Sequence, residues 1–362
     1  MKVAFITRST IYNVPGGDTV QITETAKNLR QLDTGVDIYP TNKKINYSQY
    51  DLFHFFNLSR PADILFHIRK IKAPAVLSPI LVDYSEYDKQ ERKGLTGFIF
   101  RMFSANTNEY IKTISRAVKG NDSLPTAAYI RKGHRKSIIE ILKKTSLLLP
   151  NSELEYQNLE KKYGVQKGHV VVPNGIDPLL FQPGEKKEKD NKLIVCIARI
   201  EGIKNQLNLI RAVNDTAYTL MIIGSPAPNQ QNYYRQCRKS ASSNIRFIDR
   251  LPQNELINYY KTAKVHVLPS WFETCGLSSL EAGAMGCNLV ITDKGYTREY
   301  FGEDAFYCNP ADPVSILDVI EKASGSECRV QLQQKILNKY TWQIAAAVTL
   351  DAYKKAITVE KT

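Results

Sequence analysis

The sequence predicts an α/β protein of two doubly wound, parallel-sheet domains, and three observations predict it. Short apolar runs of strand length alternate with helix-length amphipathic stretches along most of the 362 residues, the pattern of βαβ units. The alternation stops once, at DPLLFQPGEKKEKDNK (177–192), and then restarts. A chain of this length accommodates two domains of ordinary size.

Taken in order, KVAFIT opens the first domain as a buried strand. A loop bearing Gly16 and Gly17 leads into a helix from about Asp18 to Leu32. VDIYP and LFHFFN are strands, PADILFHIRKIK a helix and AVLSPI a strand, followed by a long basic helical stretch to Lys144. SLLLPN is a strand, SELEYQNLEKKYG a helix with Ser152 as N-cap, and HVVVPN closes the half. The first domain is therefore 1–176, the linker 177–192 and the second domain 193–341. In the second, LIVCIAR, TLMIIG, IRFIDR, VHVLPS, NLVITDK and AFYCNP are strands separated by helices. A last helix, about 342–357, is long enough to cross back onto the first domain. Doubly wound sheets bind ligands at the carboxyl ends of their strands, so a cleft between the two domains is the expected site.

Hydrophobic content of 43% and charged content of 23% are those of a globular protein. No apolar run reaches membrane-spanning length, and MKVAFITRST reads as a strand rather than a signal peptide. Six cysteines without a C-x-x-C pair suggest neither a disulfide frame nor zinc, and a reducing cytoplasm is expected. Net charge is +13, and residues 89–144 carry thirteen Lys/Arg against four Asp/Glu. That segment reads either as solvated amphipathic helices or as a surface for an anionic membrane or an acidic substrate. No nucleic-acid-binding signature is present, and nucleic acid is not an expected partner.

The stretch WFETCGLSSLEAGAMG (271–286) carries two acids, Glu273 and Glu281, among small residues. It reads as a loop entering a helix whose N-terminal amides favour an anion. Acids beside an anion site suit hydroxyls, so the pair points to a phosphorylated, hydroxyl-rich ligand. In CIARIEGIKNQ (196–206), Arg199 ends a strand and Lys204 begins a helix, two cations suited to a diphosphate. Gly16 and Gly17 let backbone amides approach a ligand, although NVPGGDTVQ matches neither a dinucleotide fingerprint nor a Walker A loop. No D-x-D clasp and no zinc-spaced histidines occur, so neither metal nor cofactor is expected. His54 and Asn57, at the end of LFHFFN, are cleft candidates; His266 reads as core.

LPSWFETCGLSSLEAGAMGCNLVITD, ARIEGIKNQ and VVPNGIDPLLFQP together resemble the motifs of retaining nucleotide-sugar glycosyltransferases, glycosyltransferase family four. The resemblance implies the GT-B fold, two Rossmann-like domains facing across a cleft, and a nucleoside-diphosphate sugar as donor. Glu273 falls on the acid that holds donor-sugar hydroxyls, Glu281 on the one that holds the ribose, and Arg199 and Lys204 on the diphosphate cations. The implied catalytic set is Glu273, Arg199 and Lys204. The donor-binding set adds Gly16, Gly17, Leu251, Thr274, Cys275, Gly276, Leu277 and Glu281. The family loop E-G-F-G-L reads ETCGL here, so Thr274 and Cys275 replace Gly and Phe. Many relatives carry a histidine after the strand within AVLSPILVDYSEYD; here Ser78, Asp83 and Glu86 are the nearby polar groups. His54, Asn57 and Asp83 remain the acceptor-side candidates. The implied acceptor is a glycan or a lipid-linked one, as in bacterial surface polysaccharide synthesis at the inner membrane face. Another GT-B activity (a sugar-phosphate-accepting synthase or a phosphorylase) and an inactive sugar-nucleotide-binding subunit are the rival readings.

Overall fold

The computed structural model describes residues 1–90, 105–118, 126–182 and 188–359. They fall into two compact units: Met1–Asn174 with Trp342–Thr362, and Gly175–Thr341.

Unit 1 is a parallel sheet ordered β2-β1-β3-β4-β5. Its strands are β1 (Lys2–Thr7), β2 (Gly35–Pro40), β3 (Leu52–Phe56), β4 (Ala75–Ser78) and β5 (Leu147–Leu148). Every residue of β3 is buried, as expected for a strand covered on both faces. HVVVPN extends the β5 edge without forming a regular strand: Val170 N–H donates to the Leu148 carbonyl at 2.9 Å and Val172 N–H to that of Pro150 at 2.8 Å. The helix expected over 61–72 is shorter, Pro61–Ile68, with Arg69 as its C-cap. The described part of the basic stretch forms helices Ala105–Val118 and Ala127–Lys144. Gly133, at φ 74° and ψ 177°, breaks the second. Ser152 caps Glu153–Tyr163, its hydroxyl accepting from the Glu155 amide at 3.1 Å.

Unit 2 is a six-stranded parallel sheet ordered β11-β10-β9-β6-β7-β8. Its strands are β6 (Asp190–Ile197), β7 (Thr219–Ile223), β8 (Ile245–Ile248), β9 (Ala263–Leu268), β10 (Asn288–Thr292) and β11 (Phe306–Cys308). Alternate residues of β6 face opposite layers: Val195 and Ile197 join one core cluster, Ile194 and Cys196 the other. The cysteines are free thiols, all buried except half-buried Cys328.

Both ends of the expected linker, 177–192, are tied to unit 2. Phe181, 1% exposed, belongs to its core and Leu180 packs against it, while Leu179 is exposed, and β6 already begins at Asp190. Prolines and charges pointed to a connector, but Leu180 and Phe181 anchor its start. Residues 183–187 lie outside the described residues.

Candidate functional site

In unit 2 the chain winds outward through β6, β7 and β8, then returns to place β9 beside β6. The β6/β9 boundary is the topological switch point, where loops diverge and leave room for a ligand. Arg199 follows β6 and Ser270 and Glu273 follow β9, so adjacent strands bring these segments together.

The Lys204 ammonium contacts Glu273 Oε1 at 2.5 Å. The Ser270 hydroxyl donates to the same oxygen at 2.6 Å. Glu273 is only 6% exposed, so its charge requires such partners. With both donors on Oε1, Oε2 is left to accept from a ligand. Lys204 does not begin the following helix as expected. It closes a single 3-10 turn, Gly202–Lys204, and Asn205 at φ 59° separates it from the helix Gln206–Val213. The Asn205 amide fixes that kink by donating to the Pro269 and Pro310 carbonyls at 3.0 and 2.7 Å. The Trp271 N–H ties to the Ile203 carbonyl at 2.9 Å, joining the two site loops. Arg199 pairs with Glu201 Oε1 at 2.8 Å, its side chain 40% exposed.

Glu281 sits in the helix Leu277–Ala284, which Gly276 enters in left-handed backbone at φ 77°. Tyr260 OH donates to Glu281 Oε2 at 2.9 Å and the Gln253 amide to Oε1 at 2.8 Å. Burial drives the Glu281 carboxyl up to about 7 against the opposing effect of those two donors. Cys275 is fully buried in the core, which accounts for an apolar residue at that loop position. Thr274, Leu277 and Leu251 are half-buried, and Leu277 and Leu251 pack against the same core. His266 is buried as expected, its Nε2 3.2 Å from Ser279 Oγ.

Several supporting groups escaped the sequence reading. Ser270 had a local signal, a hydroxyl three residues before Glu273; Glu201, Gln253 and Tyr260 had none. Gly295 is a further one. A Cβ there would lie 2.1 Å from the Glu273 carbonyl oxygen, and this close approach lets Glu273 N–H reach the Lys294 carbonyl at 3.1 Å.

In unit 1, Gly16 ends the loop after β1 as the N-cap of the helix Gly17–Gln31, which Gly17 opens one residue earlier than expected. Arg8 organises that loop: its guanidinium donates to both Asp18 oxygens at 2.7 and 3.0 Å and to the Thr10 and Val14 carbonyls. His54 is a correction. It is 1% exposed, stacks on Phe56, and engages Tyr353 OH at 2.7 Å and Ser78 Oγ at 2.9 Å. Burial holds its imidazole well below the usual range, so it packs the core instead of meeting ligand. The continuous burial of β3 had disguised this. Asn57, at φ 69°, begins the loop after β3 and accepts from the Ser59 hydroxyl. Asp83 stands 3.7 Å from Lys162. Burial raises its carboxyl, but Lys162 and hydrogen bonds from Ser85 outweigh that and lower it.

Two cations of the basic segment are paired: Lys132 with Glu140, an acid it shares with Arg69 outside the segment, and Lys112 with Asp88 and Glu109. The segment's residues 91–104 and 119–125 lie outside the described residues. Among the described residues no helix is long and apolar enough to cross a membrane, and no metal-binding group of acids, histidines and cysteines occurs.

Residues 180–340 match the family model of the glycosyl transferases group 1. A D-inositol 3-phosphate glycosyltransferase 2 of Catenulispora acidiphila is 24% identical over 287 residues, covering 70% of this chain and 65% of that protein. An MMP alpha-(1->4)-mannosyltransferase of Mycolicibacterium hassiacum is 25% identical over 198 residues, 52% of this chain and 48% of that one. The match thus spans between about half and two thirds of these relatives' lengths. Sucrose-phosphate synthase from Thermosynechococcus elongatus superposes over 99% of both chains with TM-score 0.74 at 13% identity. Anabaena HepE, solved with UDP and glucose, does so over 100% of both chains with TM-score 0.65 at 16% identity. These two likenesses establish the GT-B type of fold.

Proposed function

We propose, from the match of residues 180–340 to the glycosyl transferases group 1 model, that the chain moves a sugar from a nucleoside-diphosphate sugar to a glycan or lipid-linked acceptor. The observation that carries this reading is the Lys204–Glu273–Ser270 cluster at the β6/β9 switch point. Arg199, Lys204 and the first amides of the helix Leu277–Ala284 take the diphosphate, stabilising charge on the departing oxygen. Glu273 Oε2 accepts from donor-sugar hydroxyls. Glu281 accepts from the ribose, which displaces the exposed Gln253 amide. Transfer proceeds with retention at the anomeric carbon and without a metal ion or cofactor.

The test is a panel of nucleotide sugars, UDP-glucose and GDP-mannose among them, scored for slow donor hydrolysis and thermal stabilisation. One donor should be hydrolysed with EDTA present. A strict divalent-cation requirement would count against the site as assigned, and stabilisation without turnover would favour the inactive-subunit reading. A sugar-phosphate-accepting synthase is the second reading, favoured by the D-inositol 3-phosphate relatives and the sucrose-phosphate synthase fold. Bacterial surface polysaccharide assembly is the proposed setting, with the exposed Arg131, Arg135 and Lys136 touching anionic lipid at the cytoplasmic membrane face.

A further inference from the structure

A basic, aromatic-walled cavity in unit 1 has no part in the donor chemistry above. It encloses about 420 Å³, within the roughly 300–1,000 Å³ of small-molecule sites. The loop after β2 and the helix Pro61–Ile68 supply most of its lining. Ile45, Tyr47 and Phe66 form the apolar side, and Lys43, Lys44 and Lys70 the charged side. The one acid among the described lining residues, Asp63, is paired with Arg60 at 3.0 Å.

Some basic side chains of this unit close on carboxylates: Arg69 and Lys132 on Glu140 at 2.7 and 2.5 Å, Lys112 on Asp88 at 2.9 Å. Among the described residues Lys43, Lys44 and Lys70 have no carboxylate partner. The Lys70 ammonium instead stands over the Phe66 ring, 3.5 Å from its centroid. The wall itself is fixed. Tyr47 OH meets His67 Nδ1 at 2.9 Å, and His67 Nε2 lies 2.9 Å from the Thr41 carbonyl. Three ammoniums around one concavity raise its potential and favour an anion, and lysine binds phosphate oxygens as a point charge.

We propose that this cavity binds a phosphate or pyrophosphate carried on a carbon skeleton. The three ammoniums hold the anion, and Phe66, Tyr47 and Ile45 pack against the skeleton. A soluble sugar phosphate and an anionic lipid headgroup share that chemistry.

The experiment titrates the full chain at low salt with glucose 6-phosphate, inorganic pyrophosphate and, as neutral control, glucose. A second arm measures co-sedimentation with phosphatidylglycerol and phosphatidylcholine vesicles. Replacing Lys43, Lys44 and Lys70 together by Ser should weaken binding about tenfold, and replacing all three by Arg should preserve it. Phe66→Ser should weaken glucose 6-phosphate binding and spare pyrophosphate. Lysine-dependent binding of glucose 6-phosphate alone assigns a soluble ligand; lysine-dependent, phosphatidylglycerol-selective sedimentation assigns a headgroup. Absence of lysine-dependent binding in both arms overturns the proposal. Unit 2 is untouched by these variants, so donor hydrolysis tests the transferase reading separately.

Discussion

The Lys204 ammonium and the Glu273 carboxylate meet at 2.5 Å across 69 positions of sequence. The two residues follow neighbouring strands of one sheet, and the contact joins the residue proposed for the diphosphate to the one proposed for the sugar. A ligand that draws on one must act on the other.

The pair should therefore behave as a unit. Lys204→Ala leaves Glu273 largely buried with Ser270 as its donor, and breaking such a pair costs about 3–5 kcal/mol when fully buried, less here because Lys204 is partly exposed. Glu273→Gln in that background should recover part of the loss. Thermal melts of wild type, both single variants and the double variant complete the cycle. Strictly additive effects would dissolve the coupling. Lys204→Ala should also lower kcat/KM by about 100-fold or more.

That pair was half legible in the sequence. Small residues around Glu273 and Glu281 marked a loop entering a helix, and alternating apolar runs gave both sheets. The contact itself depends on strand order, β9 returning beside β6, which local pattern does not encode. The same limit hid Tyr260 and Gln253, whose helix reaches Glu281 only through packing. His54 was misread because its polar ring looked like a cleft group. Its partners, Ser78 and Tyr353, come from a neighbouring strand and from a helix 299 positions away.

Arg199 should separate activity from stability. Its side chain is 40% exposed and its partner Glu201 15%, a half-exposed pair worth on the order of 1 kcal/mol. Arg199→Ala should melt within a few degrees of wild type, yet lose about 100-fold or more in kcat/KM. Retention of near-wild-type turnover would remove Arg199 from the diphosphate site.

The ribose contact proposed for Glu281 predicts that donor binding depends on pH. Its carboxyl titrates at about 7 in the folded chain, above the ordinary value, so folding favours the protonated form. The group's stabilising contribution is intact below the unfolded-state value and is lost as pH rises through about 7. Ribose hydroxyls need the carboxylate as acceptor, so nucleotide affinity should move the opposite way, rising across the same window. Uridine avoids titration of phosphate groups and is the probe for a uridine-nucleotide donor. Its affinity should increase from pH 6 to about 8 in wild type and stay flat in Glu281→Gln. An identical pH profile in both proteins would sink the ribose role.

Gly295 ties stability to turnover through one atom. A methyl there meets the Glu273 carbonyl oxygen at 2.1 Å, and the backbone stands at φ +99°, a region that side chains rarely adopt. Gly295→Ala must push the Glu273 segment away, breaking the Glu273 N–H bond to Lys294 and the Tyr296 N–H bond to the Glu273 carbonyl, 3.1 and 2.9 Å long. Several kcal/mol of destabilisation, roughly 2–4, should follow. Displacing Glu273 also moves Oε1 from Lys204 and Ser270, so turnover should fall more than the folded fraction does. Measured well below the melting point, where the variant remains folded, kcat should still be reduced about tenfold or more. A variant that melts early but turns over normally when folded would show that Gly295 only supports the loop and leaves the carboxylate where it was.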